Sequence, residues 1–452
     1  MMVWLDAVME ADPELFGYMK EELSRQKASL EMIPSENFTS EAVMQAVGSI
    51  LTNKYSEGYP GRRYYGGNEF IDKIERLAVN RAKRLFNVEH VNVQPYSGSP
   101  ANMEVYLSIC KPGDTVMGQS LTSGGHLTHG SPASATGQIF NSMQYGVRPD
   151  GYIDLDAVRE LAVNNKPKLI WVGSTAYVRR LPFKEMASIA DEVGAYLAAD
   201  ISHISGLVIA GVHESPADYA HIITTTTHKT LRGPRGAMIM VTKKGIEKDP
   251  ELPSKIDKAV FPGMQGGPHD HVTAAIAISL LQASTPEFKE YAVQIVNNAK
   301  ALAAALMKNN IDLVTNGTDN HMVLADLTSI APGLGIFAQE ALDAVGVTMN
   351  KNTVPGEQSS AFYPSGLRMG TPAITTRGMK EQQMYLIADI ISEVINNIRG
   401  YRLPGDKDAR IDYLRTFREE IKKSEAMRDL KKRTVEISAM FPLYKNILLP
   451  AE

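Results

Sequence analysis

Residues 222–236 read IITTTTHKTLRGPRG. Ile222, Ile223 and Thr224 to Thr227 are all β-branched and fit a strand running through a protein interior. The run ends in His228-Lys229, and Gly233-Pro234 then break it. A lysine at the end of a buried strand can simply cap it and snorkel to water. Held instead in a partly desolvated pocket, its pKa falls and its amine can attack a carbonyl to form a Schiff base. The window alone favours the capping reading, and two other loops turn the choice. In VNVQPYSGSPANMEVY a strand ends near Gln94, Ser97-Gly98-Ser99 turns, and a helix starts near Pro100. Free backbone N–H groups, the positive helix end and two hydroxyls make a phosphate cradle there, while Ser99 as a plain N-cap is the simpler alternative. In AYLAADISHISGL a strand delivers Asp200 at its end, with His203 three residues on. Such an acid either caps locally or acts as counter-ion to a buried cation such as a pyridinium nitrogen. A phosphate cradle, a buried acid and a strand-end lysine together describe a pyridoxal phosphate site.

The remaining polar residues test that description. No GxGxxG or GxxxxGK[ST] is present, so a phosphate held at residues 97–99 belongs to something other than a dinucleotide or nucleoside triphosphate. His126 and His129 in SGGHLTHGSP have no cysteines or acidic cluster near them in sequence. They fit stacking or hydrogen bonding better than metal, and no metal is expected. His269 and His271 in PHDH start a helix. Arg368, in SGLRMGTPA, lies on an otherwise apolar strand, either paired structurally or serving as a carboxylate clamp for an amino-acid substrate.

These residues need elements to position them. Strands are expected at 91–94, 115–118, 168–173, 195–200, 222–227 and 237–241, with helices at 100–109, 154–163 and 184–193 between them. That alternation predicts an α/β sandwich around a mostly parallel sheet, with ligands at the carboxyl ends of the strands. Long helices at 269–284 and 286–308 lead into a smaller α+β region: strand, strand, helix, strand, then helices at 380–399 and 408–424. The expected division is an arm over 1–40, a large domain over 41–285 and a small domain over 286–452. In the arm, Asp12-Pro13 starts a helix with an apolar stripe of Leu15, Tyr18, Met19 and Leu23. The segment 53–67 is an irregular Gly- and Tyr-rich loop, and a strongly amphipathic helix follows it. The charged tail from about 401 reads as a solvated helical face without function.

At 452 residues the chain is long enough for two cores, and its composition is ordinary for a globular protein. A net charge of −4 argues against nucleic-acid or membrane-surface partners. One cysteine excludes an internal disulfide and a CxxC metal site. No apolar run reaches membrane-span length, and the acidic N-terminus has no basic presequence, so a cytoplasmic location is expected.

The motifs YSEGYPGRRYYGG, GGHLTHGSP, THKTLRGPRG, FPGMQGGP and GLRMGTPAITTRG closely resemble the serine hydroxymethyltransferases, in that family's order and spacing, from about residue 28 to about 400. The resemblance implies a fold type I pyridoxal phosphate enzyme. Its large domain holds a seven-stranded, mostly parallel sheet sandwiched by helices, with a smaller C-terminal α+β domain beside it. It also implies a homodimer, or a dimer of dimers, with active sites shared between subunits. By motif, Lys229 forms the internal aldimine, Asp200 pairs with the pyridinium nitrogen, His126 stacks on the ring and His203 bonds its phenolic oxygen. Ser97, Gly98 and Ser99 hold the phosphate, Thr175 lies near the cofactor, and His228 adjoins the reactive lysine as a further catalytic residue. Tyr55 and Gly267 reach the phosphate of the neighbouring subunit. Ser35 and Arg368 bind the substrate carboxylate. Glu57 and Tyr65, from the neighbouring subunit, face the substrate side chain, with Glu57 the proton-transfer group. Tetrahydrofolate lies along Leu121, Gly125 and Leu127 and near Asn352, Ser360 and Phe362. The implied reaction moves the hydroxymethyl carbon of L-serine to tetrahydrofolate, giving glycine and 5,10-methylenetetrahydrofolate. Departures from the family pattern at Tyr96, Pro100, Thr175, Ser202 and Pro34 bear on substrate preference and folate affinity. A folate-independent aldolase for β-hydroxy amino acids is the nearest alternative. A catalytically silent scaffold is a more distant one.

Overall fold

A computed structural model describes residues 5–445. Its central sheet has seven strands in the order His90–Asn92, Ala237–Val241, Ile222–Thr226, Tyr196–Asp200, Leu169–Val172, Thr115–Gln119 and Asn141–Tyr145. Six of them run in one direction, while Ala237–Val241 is antiparallel to both its neighbours. This is the expected α/β sandwich, and the apolar runs explain it. Alternate residues of each inner strand enter opposite cores: Leu169, Trp171, Ala198, Ile222 and Ile239 on one face, Ile170, Val172, Leu197, Ile223 and Met240 on the other. A parallel sheet covered on both faces needs apolar residues at both parities. Asn141–Tyr145 was not expected as a strand, because an edge strand reading NSMQY lacks that apolar signal.

A second sheet pairs Asp312–Leu313, Met322–Asp326, Gly366–Gly370 and Asn350–Asn352, in that order and antiparallel, against its own core of Val323, Phe337, Leu367 and Ile391. Helix Pro286–Lys308 joins the two cores: Phe288, Tyr291 and Ile295 pack in the first, Leu302 and Leu306 in the second.

Two expectations are corrected, that of the tail and that of the 53–67 loop. The tail is not a solvated face without structural work. Helices Lys407–Lys423 and Glu425–Met440 bury Leu414, Phe417, Ile421, Met427, Leu430 and Ile437 in the second core. Their charges hid an apolar stripe. The arm helix Pro13–Ala28 does start as expected, with the Asp12 carboxylate accepting from the Leu15 N–H at 3.0 Å. Of its stripe, Leu15, Tyr18 and Met19 are exposed, while Phe16 beside them is buried. Finally, the 53–67 loop contains a short hairpin, Gly58–Tyr59 with Arg62–Arg63. The Arg63 side chain anchors it through Asp72 at 2.9 Å and the buried Glu75 at 2.6 Å.

Candidate active site

Four loops leave the carboxyl ends of neighbouring parallel strands, and with the start of helix Gly98–Ile109 they enclose one small cleft. It is lined by Gly98, His126, His129, Ser174, Thr175, Asp200, Ser202, His203, Thr226 and Lys229. Residues far apart in sequence meet here because each strand ends at the same edge.

Asp200 is the most heavily bonded group in the cleft. One carboxylate oxygen accepts from His129 Nε2 at 3.0 Å and Asn102 Nδ2 at 2.9 Å. The other accepts from the Ser202 N–H at 3.0 Å and the Ser202 hydroxyl at 2.6 Å. Burial pushes this carboxyl up, but the His129 bond and the neighbouring donors outweigh it and hold it well below the usual range. It stays an anion. A second layer fixes the donors: Asn102 Oδ1 accepts from the Thr224 hydroxyl at 2.8 Å, and His129 stacks on Trp171 with planes 9° apart. His126, His129 and Asp200 place three potential metal-ligating atoms within 4.8 Å of one another. The acidic neighbour that the sequence withheld from the two histidines is thus Asp200. All three are already engaged, His129 and Asp200 with each other and His126 Nδ1 with the Thr128 hydroxyl at 2.7 Å. Burial pushes His126 down to about 4, so the ring facing the cleft is neutral.

Lys229 lies three residues beyond the strand end and is buried. Burial lowers its amine to about 8, Asp200 pulls it upward, and Arg368 and Arg235 push it down. Snorkelling is therefore excluded, and the amine is poised to lose its proton near neutral pH. Asn37 Nδ2 donates to the Lys229 carbonyl at 2.9 Å, fixing the turn that presents it. His228 follows the strand as expected, is held neutral at about 3 by burial, and leaves Nδ1 without a partner among the described residues.

Arg368 is the second buried cation, brought in by the strand Gly366–Gly370. Its Nε donates to Asn350 Oδ1 at 3.0 Å and its Nη1 to the Thr175 carbonyl. It has no acidic partner among the described residues, and burial lowers it to about 10. Ser35 lies beside this strand, since Pro34 packs on Gly370 and the Gly370 N–H donates to the Met32 carbonyl at 2.7 Å.

Of the folate candidates, the 121–125 loop and Asn352 meet beside the cleft, lining one small cavity with Ala176 and Tyr177. Gly125 is required there, because a Cβ would lie 2.0 Å from the Gln119 carbonyl. The Thr175 hydroxyl donates to the Gly125 carbonyl at 3.0 Å, and the Thr353 hydroxyl to the Thr122 carbonyl at 3.0 Å, which brings Asn352 beside the 121–127 loop. Leu121, Leu127 and Phe362 are exposed, and Ser360 caps the turn before Tyr363.

Tyr55, Glu57, Tyr65 and Gly267 form a second cluster, tied to the loop before Ser97 by the Tyr96 hydroxyl, which donates to the Gly267 carbonyl at 2.8 Å. The Tyr55 hydroxyl donates to Glu57 at 3.0 Å, Tyr65 packs edge-on against Tyr55, and Tyr55 lies over Gly267. Among the described residues no hydrogen bond or ion pair joins this cluster to Lys229, Asp200 or Arg368.

Comparison with known proteins agrees with the geometry. A sequence model of the family described as serine hydroxymethyltransferase matches residues 8–391. A protein of Acidothermus cellulolyticus named serine hydroxymethyltransferase is 54% identical over 406 residues, covering 90% of this chain and 92% of that protein. The chain belongs to the serine hydroxymethyltransferase family. Members of that family are pyridoxal phosphate-dependent enzymes of fold type I, and the seven-stranded sheet with its smaller C-terminal layer is that architecture.

The cleft fits the family's cofactor on its own chemistry. Ser97 is the N-cap of helix Gly98–Ile109, yet its side chain makes no capping bond, so the positive end and its hydroxyl remain available; the cap is Ser97, not Ser99. Beside it the buried Thr226 hydroxyl has no partner among the described residues. An anionic acid, a lysine of lowered pKa and an unsatisfied anion cradle are the three donor types that pyridoxal phosphate requires. Sequence reasoning missed Asn102, His129 as the partner of Asp200, Thr226, Asn37 and Asn350. Asn102 alone carried a signal, being one helical turn after Gly98 and so facing the same side. The others are positioned by tertiary contacts.

Proposed function

We propose that Lys229 is the Schiff-base lysine and that the surrounding cleft carries out the family reaction, exchange of a hydroxymethyl group between L-serine and tetrahydrofolate with formation of glycine. The observation that carries this reading is the pair of buried cations, Lys229 beside an anionic Asp200 and Arg368 without an acidic partner. A buried guanidinium with only two neutral oxygen partners calls for a carboxylate, and an α-amino acid supplies one.

Pyridoxal phosphate, when bound, supplies the electron sink for the bond broken at the substrate α-carbon. Ser97, Gly98, Ser99 and Thr226 would hold its phosphate, Asp200 its ring nitrogen, His126 its face and His203 its phenolic oxygen. The protein's own contribution is orientation and proton control. Arg368 and Ser35 fix the serine carboxylate, which sets the bond between the α- and β-carbons relative to the ring. Positioning of this sort is worth up to roughly 7–11 kcal/mol. Glu57 moves the proton at the serine hydroxyl, and Tyr65 lies beside it. Leu121, Gly125, Leu127, Asn352, Ser360 and Phe362 form the folate wall.

The family resemblance assigns Tyr55, Glu57, Tyr65 and Gly267 to the neighbouring subunit's site, and a homodimer with shared sites is part of the proposal. The same proposal divides the chain at 40 and 285, with helix Pro286–Lys308 as the connection. It also places the enzyme in the cytoplasm; no helix among the described residues is long and apolar enough to cross a membrane.

The test is an assay of serine cleavage with and without tetrahydrofolate, run beside Lys229→Ala. Folate-dependent formaldehyde transfer that Lys229→Ala abolishes supports the reading. Cleavage of serine at the same rate without folate would favour the aldolase.

A further inference from the structure

Behind His203 lies a residue that the reading above leaves without a role. His203 Nδ1 is 3.3 Å from His321 Nε2, the two rings are 24° from parallel, and both side chains are buried. His203 lines the cleft, so with Nδ1 turned to His321 its Nε2 is the nitrogen that faces the cofactor space. The backbone holds both rings in place. The Thr230 hydroxyl donates to the His203 carbonyl at 3.0 Å, and the Thr371 N–H donates to the His321 carbonyl at 3.1 Å. Burial and the nearby Lys229 and Arg368 charges push both imidazoles down, so each is neutral and carries one proton.

One proton lies between the two facing nitrogens, and its owner decides what His203 presents. If His203 Nδ1–H donates to His321, then His321 must carry its own proton on Nδ1. That nitrogen is buried and has no hydrogen-bond partner among the described residues. A buried N–H without an acceptor loses its full hydration, and such orphans are rare in folded proteins. The reverse arrangement leaves only an unused lone pair at His321 Nδ1, and each proton then has a place. We propose that His321 is a positioning residue: its Nε2–H donates to His203 Nδ1 and thereby fixes His203 as an Nε2–H donor toward the cofactor space. A donor there stabilises negative charge on an oxygen facing it, which is the phenolic oxygen under the cofactor reading on which this inference rests. The arrangement also ties that donor to substrate binding. His321 leads into the strand Met322–Asp326, which pairs with the strand carrying Arg368 through Leu324 opposite Arg368.

The tautomers are read by 15N NMR of the protein labelled at histidine, with His203→Asn and His321→Gln used for assignment, before and after addition of pyridoxal phosphate. The expected pattern is His203 protonated at Nε2 and bare at Nδ1, with His321 protonated at Nε2. The opposite pattern overturns the inference. Kinetics give a second readout. Leucine at 321 cannot donate, whereas the glutamine amide can occupy the position of Nε2. His321→Leu should lower kcat about tenfold with little change in the KM for serine, and His321→Gln should recover most of that loss. Equal impairment in both variants overturns the positioning role. Failure to take up pyridoxal phosphate would refute the cofactor reading, while the nitrogen shifts of the protein alone would still decide the tautomer.

Discussion

Glu104 shows how far one buried group can govern the protein's response to pH. It lies on the helix that opens at the phosphate cradle, fully buried, with neither carboxyl oxygen hydrogen-bonded among the described residues. Burial raises it to about 8. The folded pKa is raised, so the stabilising contribution is present below the unfolded value near 4.5 and is lost as pH climbs to about 8. Glu104→Gln removes that titration. Thermal melts from pH 5 to 8 should therefore flatten in the variant, with the wild type losing on the order of 3 kcal/mol more across the range. Parallel curves would mean that Glu104 is ionised in the fold. Arg368 makes a different residue-scale prediction. Arg368→Lys keeps the charge but loses the planar fork, so the KM for serine should rise about 10- to 100-fold in steady-state assays. An unchanged KM would remove Arg368 from the substrate site. Lys229, Asp200 and Arg368 were legible as residues because a charge at the end of an apolar strand, or within one as at Arg368, has few explanations. What held each in place was not legible, since His129, Asn102 and Asn350 reach their partners only through folding.

Elements contribute precision through close approach. Gly173, just past the strand Leu169–Val172, would place a Cβ 2.4 Å from the Asp200 carbonyl and 2.9 Å from the Asp200 Cβ. Gly173→Ala should therefore push the two strand ends apart, costing about 1–3 kcal/mol and weakening cofactor uptake. Thermal melts and a pyridoxal phosphate titration would check this, and a variant with wild-type affinity would show that the strand end tolerates movement. The inner strands were readable as short apolar runs and the long helices from their periodicity. The edge strand Asn141–Tyr145 was not, because one exposed flank removes its pattern. Nor was the packing of the last helices. There the buried Arg377 donates to the carbonyls of Ser29 at 2.6 Å and Ser438 at 2.7 Å, tying the arm helix to the C-terminal one. Nothing in a charged tail announces that bond.

At the scale of the whole molecule, the exposed Ile50, Tyr55, Tyr64 and Phe70 leave an apolar surface around the Glu57 cluster, as expected where a second subunit packs. If sites are shared, Lys229→Ala and Glu57→Gln each inactivate a different half of a site. Mixing the two unfolded variants and refolding them together should restore about a quarter of wild-type activity, from the single intact site of each mixed dimer. No recovery would place both residues in one chain's site. The central claim, that Lys229 holds pyridoxal phosphate in a folate-dependent site, is tested most directly by the visible absorption spectrum of the purified protein alone, with glycine, and with glycine plus tetrahydrofolate. The account predicts a yellow protein that gains a strong long-wavelength band only when glycine and tetrahydrofolate are both present. A colourless protein that cannot be reconstituted with pyridoxal phosphate, or a yellow one that folate leaves unchanged, would contradict it.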